Sequence, residues 1–123
     1  MSELYYKDLS YEIVGICYDA FNELGYGLRE KEYQKALRQL FEDKNFSFKE
    51  QVYAPLQINN KKFGSQYLDF LIDDKLILEL KVRRYPRSAD FKQIRAYLAR
   101  NGIKLGILVL FTPNGVETFR CVV

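Results

Sequence analysis

At 123 residues, 48% apolar and 15% aromatic, the chain is long enough for one domain with a single real core and too apolar for a disordered tail. It contains no histidine, which excludes a Ser-His-Asp triad, a histidine–zinc site and a histidine general base, and leaves chemistry to Asp, Glu, Lys, Tyr, Ser or Cys. The net charge of +3 is unevenly spread: Lys81 to Lys104 hold eight basic residues against Asp90, a local +7 that leaves −4 for the rest, and such a block suits a polyanion such as nucleic acid.

The opening segment, MSELYYKDLS, lacks a basic stretch followed by an apolar one, so no secretory leader is expected. No apolar run is long enough to span a bilayer, and no membrane partner is expected. Residues 9–24 read as an amphipathic helix, with Ile13, Ile16, Cys17, Ala20, Phe21 and Leu24 at helical spacing. Gly25-Tyr26-Gly27 ends it, because glycine tolerates a left-handed cap. A second helix follows over 28–44, with Tyr33, Leu37, Leu40 and Phe41 as its inner stripe. Glu30 falls on that stripe, and an acid there needs a partner. Glu32 suits the ordinary role of a glutamate at a helix N-terminus.

Strands are expected near 46–58, 64–72 and 76–83. Pro86 breaks the chain, and Ser88 can cap a third helix over 89–101. There Phe91, Ile94 and Leu98 pack, while Gln93 and Tyr97, four apart, share a face. Asn101-Gly102 stops that helix, residues 104–112 form a buried strand, and 116–123 a last one. The order ααβββαββ describes an α/β fold, a mixed β-sheet flanked by helices, in one domain over 1–123. Cys17 and Cys121 supply neither a disulfide framework nor metal-ligand spacing, so reduced thiols in a cytoplasmic protein are expected.

The hairpin at 66–82 carries the chemistry. A two-residue loop at Asp73-Asp74 would mix polar and apolar side chains on both faces. A three-residue loop, Asp73-Asp74-Lys75, pairs Ile72 with Leu76, Phe70 with Leu78 and Leu68 with Leu80, making one face wholly apolar, which burial selects. That register sets Asp69 opposite Glu79 and Tyr67 opposite Lys81. Facing carboxylates lie roughly 4.5–5.5 Å apart at Cβ and repel. Lys81 offsets part of the repulsion, and a divalent cation with oxygen ligands offsets more. The plain alternative is a solvated Asp/Glu/Lys salt-bridge cluster.

Gly27, Glu30 and Tyr33, then Asp69, then Glu79-Leu80-Lys81, then Gln93 and Tyr97 together resemble the GxxExxY family, a branch of the PD-(D/E)xK nuclease superfamily. The resemblance spans about residues 10–112. Leu68 stands where the superfamily's name has proline, a position that does no chemistry. The resemblance implies a restriction-endonuclease-like core and a metal-dependent nuclease acting on nucleic acid, with DNA as the expected substrate. It implies that Asp69, Glu79 and the Leu80 carbonyl hold Mg²⁺ or Mn²⁺, and that Glu30 acts through water or on a second ion. Gln93 and Tyr97 would line the site and orient Lys81 or the substrate. A lysine base needs a lowered pKa, whereas carboxylate neighbours raise it, so Lys81 is read as an electrostatic and positioning group. Arg83, Arg84, Arg87 and Arg95 are candidate phosphate contacts. A domain this small would need a homodimer or partner protein to cover a long duplex. Two alternatives stand beside the nuclease: a catalytically silent nucleic-acid-binding module, and a protein-interaction domain whose basic block meets an acidic partner.

Overall fold

The computed structural model describes residues 5–123, and its elements follow the expected order. Helix α1 (Lys7–Leu24) ends at Gly25, whose φ of 72° only glycine adopts freely, and α2 (Glu30–Asp43) follows. Strands β1 (Phe48–Ile58), β2 (Lys61–Ile72) and β3 (Leu76–Val82) precede α3 (Ser88–Asn101), β4 (Leu105–Thr112) and β5 (Gly115–Cys121). The sheet runs β1-β2-β3-β4-β5, antiparallel except for β3 beside β4, and α3 is the crossover between those parallel strands. No helix among the described residues is long and apolar enough to cross a membrane.

Both faces of the sheet are covered, which is why β4 reads as an unbroken apolar run. Leu105, Ile107, Val109 and Phe111 meet Ile13, Cys17, Tyr33, Leu37 and Phe41 of α1 and α2. Leu108 and Leu110 lie in a second cluster with Ile94, Tyr97 and Leu98 of α3. Helix α3 sits close to β4: a Cβ added to Gly106 would lie 2.4 Å from Ile94 Cγ2. Gly106→Ala should therefore destabilise the fold by about 1–3 kcal/mol, read as a lowered urea midpoint with an unchanged m-value. A midpoint equal to wild type would mean that α3 has slack against the sheet.

The α3 start differs from expectation. Ser88 does not cap; Arg87 occupies that position, and Asp90 Oδ2 accepts its backbone N–H at 3.0 Å. The β1–β2 hairpin is longer than its sequence reading. Asn59 and Asn60 both adopt positive φ, the requirement of a two-residue hairpin turn, so pairing starts at Ile58–Lys61. Since β3 pairs with β2 only at 70–72, the rest of this hairpin projects beyond it as a two-stranded ribbon.

The predicted β2–β3 register forms at Ile72–Leu76 and Phe70–Leu78 and stops there. Alternation sets Leu68 beside Leu80 on one apolar face. Instead Leu80 lies in the α1/α2 cluster and Leu68 in the α3 cluster. Along β1, Phe48 likewise packs on the first cluster and Val52 on the second. The side-chain phase inverts at Gln51, whose φ is 51°, and at its sheet neighbour Asp69. A distortion there releases β2 from β3 and lets a side chain enter the ladder.

Candidate active site

Where β2 leaves β3, carboxylates replace backbone partners. Glu79 Oε1 accepts the Asp69 backbone N–H at 2.9 Å, and Asp69 Oδ2 accepts the Leu80 N–H at 2.8 Å. Two residues further along the same edge, Glu30 Oε1 of α2 accepts the Val82 N–H at 3.1 Å. The exposed N–H groups of β3 are thus taken in order by Asp69 and Glu30, which an unpaired strand edge requires. The inward-facing acid of the second helix has its partner, a backbone amide. Glu32 accepts the Arg29 N–H at 3.0 Å and does the helix-terminal work.

Period two explains the Glu-x-Lys spacing. Glu79 and Lys81 share one face of β3, while Leu80 between them is wholly buried against α1 and α2 and fixes the strand. Lys81 Nζ stands 3.5 Å from Glu79 Oε2, with its side chain about a quarter exposed. Gln34 of α2 donates to Asp69 Oδ1 at 2.7 Å.

Asp69 and Glu79 are both buried, at 7% and 3% exposure. Burial, then the charge of Glu79, pushes the Asp69 carboxyl up to about 8. Glu79 is raised by burial too, with Lys81 acting against the rise. At neutral pH the pair shares a proton, because two buried carboxylates in contact resist joint ionisation. Fully ionised, the pair places two negative charges on hard oxygen atoms, the donor chemistry that Mg²⁺ and Mn²⁺ take. The two carboxylates fit such an ion. No three acidic or sulfur ligands converge among the described residues; Glu30 stands with Val82, close enough for its charge to be felt at Asp69.

Tyr33 completes the α2 arrangement. Its hydroxyl donates to the Gly25 carbonyl and accepts the Leu28 N–H at 3.2 Å, clamping the loop that leads into Glu30. Gly27, at φ 123°, gives that loop its path.

Other expected residues are less closely gathered. Gln93 lies half-buried on the first part of α3, and Tyr97 is buried one turn further on, in the apolar cluster that also holds Leu68, Leu71 and Ile77. Neither joins the hydrogen-bond network of Asp69, Glu79 and Lys81; burial and the charge of Asp74, in the β2–β3 turn, raise the Tyr97 hydroxyl pKa. Arg83 is held by Asp90 at the start of α3. Arg95 lies over the Phe91 ring, 5.8 Å from its centroid, on the flank facing Phe119 of β5. Arg84 and Arg87 are exposed in the segment after Lys81.

The sequence reading overlooked Gln34 and the face around it. Lys31, Gln34, Lys35 and Arg38 of α2, with Glu50 and Gln51 of β1, line an open cleft of about 380 Å³ beside Asp69. Arg38 is paired with Glu50 at 3.7 Å. The spacing of Lys31, Lys35 and Arg38 at i, i+4 and i+7 was the available signal.

A sequence profile of the PD-(D/E)XK nuclease superfamily matches residues 7–121. No curated protein matches the chain. Among solved structures it is similar to the crystal structure of SSO0001, with a TM-score of 0.57 and 17% identity, over 95% of this chain and 57% of that one. It is also similar to an alkaline exonuclease (LHK-Exo) from Laribacter hongkongensis, with a TM-score of 0.53 and 14% identity, over 99% and 72% respectively. At these identities the likeness is one of fold, and the chain spans little more than half the length of SSO0001.

Proposed function

Since the chain belongs to the PD-(D/E)XK nuclease superfamily, we propose that it is a divalent-metal-dependent nuclease of the GxxExxY branch that hydrolyses phosphodiester bonds in DNA. One observation carries the reading: a buried Asp69–Glu79 pair, with Lys81 beside it, at the fork between β2 and β3. Asp69, Glu79 and the Leu80 carbonyl would hold Mg²⁺ or Mn²⁺, with Glu30 contributing through water. When bound, the ion supplies charge for the phosphoryl oxygens and a more acidic water.

The chain's own groups do the rest. Lys81 orients the attacking water or stabilises the charge that develops on the phosphate. Glu79 holds the Lys81 ammonium, and Gln34 holds the Asp69 carboxylate. Gln93, at the near end of α3, would line the substrate side with Tyr97 behind it. Arg84 and Arg87 would receive flanking phosphates, with Arg83 and Arg95 as outer contacts.

The binding-only alternative also has an observation in its favour. All four carboxylate oxygens of Asp69 and Glu79 already have partners within the chain. A cleavage assay separates the two, using Mg²⁺ and Mn²⁺ on single-stranded, duplex and branched DNA and on RNA, with Lys81→Ala as contaminant control. Cleavage that the variant loses is expected. Salt-sensitive binding without cleavage under either metal would favour the silent module.

A further inference from the structure

The hairpin ribbon beyond Asp69 has a face that the hydrolytic site does not use. Tyr53 and Tyr67 are sheet partners on it, about half exposed, with ring centroids 5.8 Å apart at 63°. Lys62 stands 5.2 Å from the Tyr53 centroid. Phe63, at the register shift of the hairpin, is 68% exposed. From Val52 to Leu68 there are two lysines and no acid. An acid-free basic ribbon attracts polyanions, and its half-exposed rings keep faces open to a stacking partner.

This face is continuous with the catalytic end. Tyr67 is two residues before Asp69, and Tyr53 two residues after Gln51, which lines the α2 cleft. Gln34 belongs to that cleft and bonds Asp69. Lys31 and Lys35 on the cleft make no ion pair among the described residues. One stripe therefore runs from basic helix to paired carboxylates to aromatic ribbon. Phosphates fit its first part, and flat, unstacked rings its last.

We propose that the ribbon is a base-stacking platform that selects unpaired nucleic acid: bases lie on Tyr53 and Tyr67, while Lys31 and Lys35 hold the backbone leading to Asp69 and Glu79. The proposal deepens the nuclease reading and rests on it for the direction of the strand. A duplex keeps its bases inside the helix, so only a single strand, a frayed end or a flap presents the faces that the tyrosines need. Stacking on an aromatic side chain is worth about tenfold in affinity per base and is indifferent to sequence.

The test is fluorescence anisotropy in chelator, where nothing is cut, with three probes: a 20-nucleotide oligo(dT), an abasic strand of equal length, and a blunt duplex. Wild type should prefer oligo(dT) to the abasic strand by about tenfold or more. Tyr53→Ala with Tyr67→Ala should remove that preference and leave abasic binding unchanged. Tyr53→Phe with Tyr67→Phe should retain it, since the ring stacks and the hydroxyl does not. Lys31→Gln with Lys35→Gln should weaken both single strands alike. Unchanged oligo(dT) affinity in the double alanine variant would overturn the proposal, as would an equal loss on the abasic strand. A wild-type dimer that the alanine variant dissociates, with oligo(dT) binding intact, would overturn it by making the ribbon a contact between copies. Cleavage of oligo(dT) with Mn²⁺ is read alongside. Cleavage indifferent to the tyrosines overturns the platform and spares the nuclease, whereas the stacking signature without cleavage supports the platform and removes the nuclease.

Discussion

Asp69→Asn is expected to reduce metal-dependent cleavage by about 10³-fold or more while making the metal-free protein more stable. The two effects have one cause. Asp69 is buried against Glu79, and its carboxyl is pushed up to about 8, against about 3.9 in an unfolded chain. Between those values the folded state keeps a proton that the unfolded chain has released. The stability linked to that proton is complete below about pH 4 and is lost as pH rises through about 8. Asparagine does not titrate and escapes the decline. It also fits: its oxygen can accept the Leu80 N–H, and its amide can donate to Gln34 once that side chain turns over. The variant should match wild type near pH 4 and exceed it increasingly as pH rises toward 8, read as a higher Tm. Added Mg²⁺ should raise the wild-type Tm at pH 8 and leave the variant unmoved, because binding to the native state alone stabilises it. Glu79→Gln should lose cleavage similarly but gain less stability, since its new amide faces the Lys81 ammonium. Thermal melts in chelator at pH 8 decide it. An asparagine variant that melts below wild type would show that the pair carries no excess charge, and the metal assignment would lose its physical basis.

How far the sequence led depends on which interactions are local. Alternation of apolar side chains fixes the Ile72–Leu76 and Phe70–Leu78 pairing, because a slip of one residue would turn every side chain to the wrong face. The same logic misplaces Leu68. Alternation presumes an unbroken ladder, and the ladder breaks at Asp69, where the carboxylate takes the Leu80 N–H in place of a backbone carbonyl. A side chain acting as a backbone partner leaves no periodic trace. Glu30 was legible as an inward acid in need of a partner; that the partner is the Val82 amide depends on how far β2 diverges. Arg83 is an exposed cation by composition, yet it is committed to Asp90, seven residues on, across a loop whose path no pattern specifies. The α2 cleft is legible in Lys31, Lys35 and Arg38 at helical spacing, although the basic block at 81–104 is the larger charge signal.

Lys81→Ala should also abolish cleavage, but with the opposite effect on stability, and the contrast tests the site as a unit. Lys81 is the one cation within ion-pair distance of Glu79 among the described residues, at 3.5 Å. Its charge works against the burial that raises Glu79. Removing it leaves two carboxylates with no positive neighbour in that contact. The metal-free variant should therefore be less stable than wild type near pH 8, by about 1 kcal/mol given the part-exposed lysine. The deficit should shrink on acidification, as protonation of the pair removes the charge that Lys81 balances. Lys81→Met keeps the apolar stem and should share the deficit, which separates lost charge from lost packing. Cleavage should fall by about 10²-fold or more in both variants, with nucleic-acid affinity in chelator little changed. If both instead melt with wild type, Glu79 does not depend on Lys81 and the lysine belongs to the substrate alone. If cleavage survives in both, the hydrolytic site is not at the fork of β2 and β3. Opposite signs for Asp69→Asn and Lys81→Ala, together with loss of cleavage in each, would be hard to produce with a solvated salt-bridge cluster, where neither substitution moves stability by more than a few tenths of a kcal/mol.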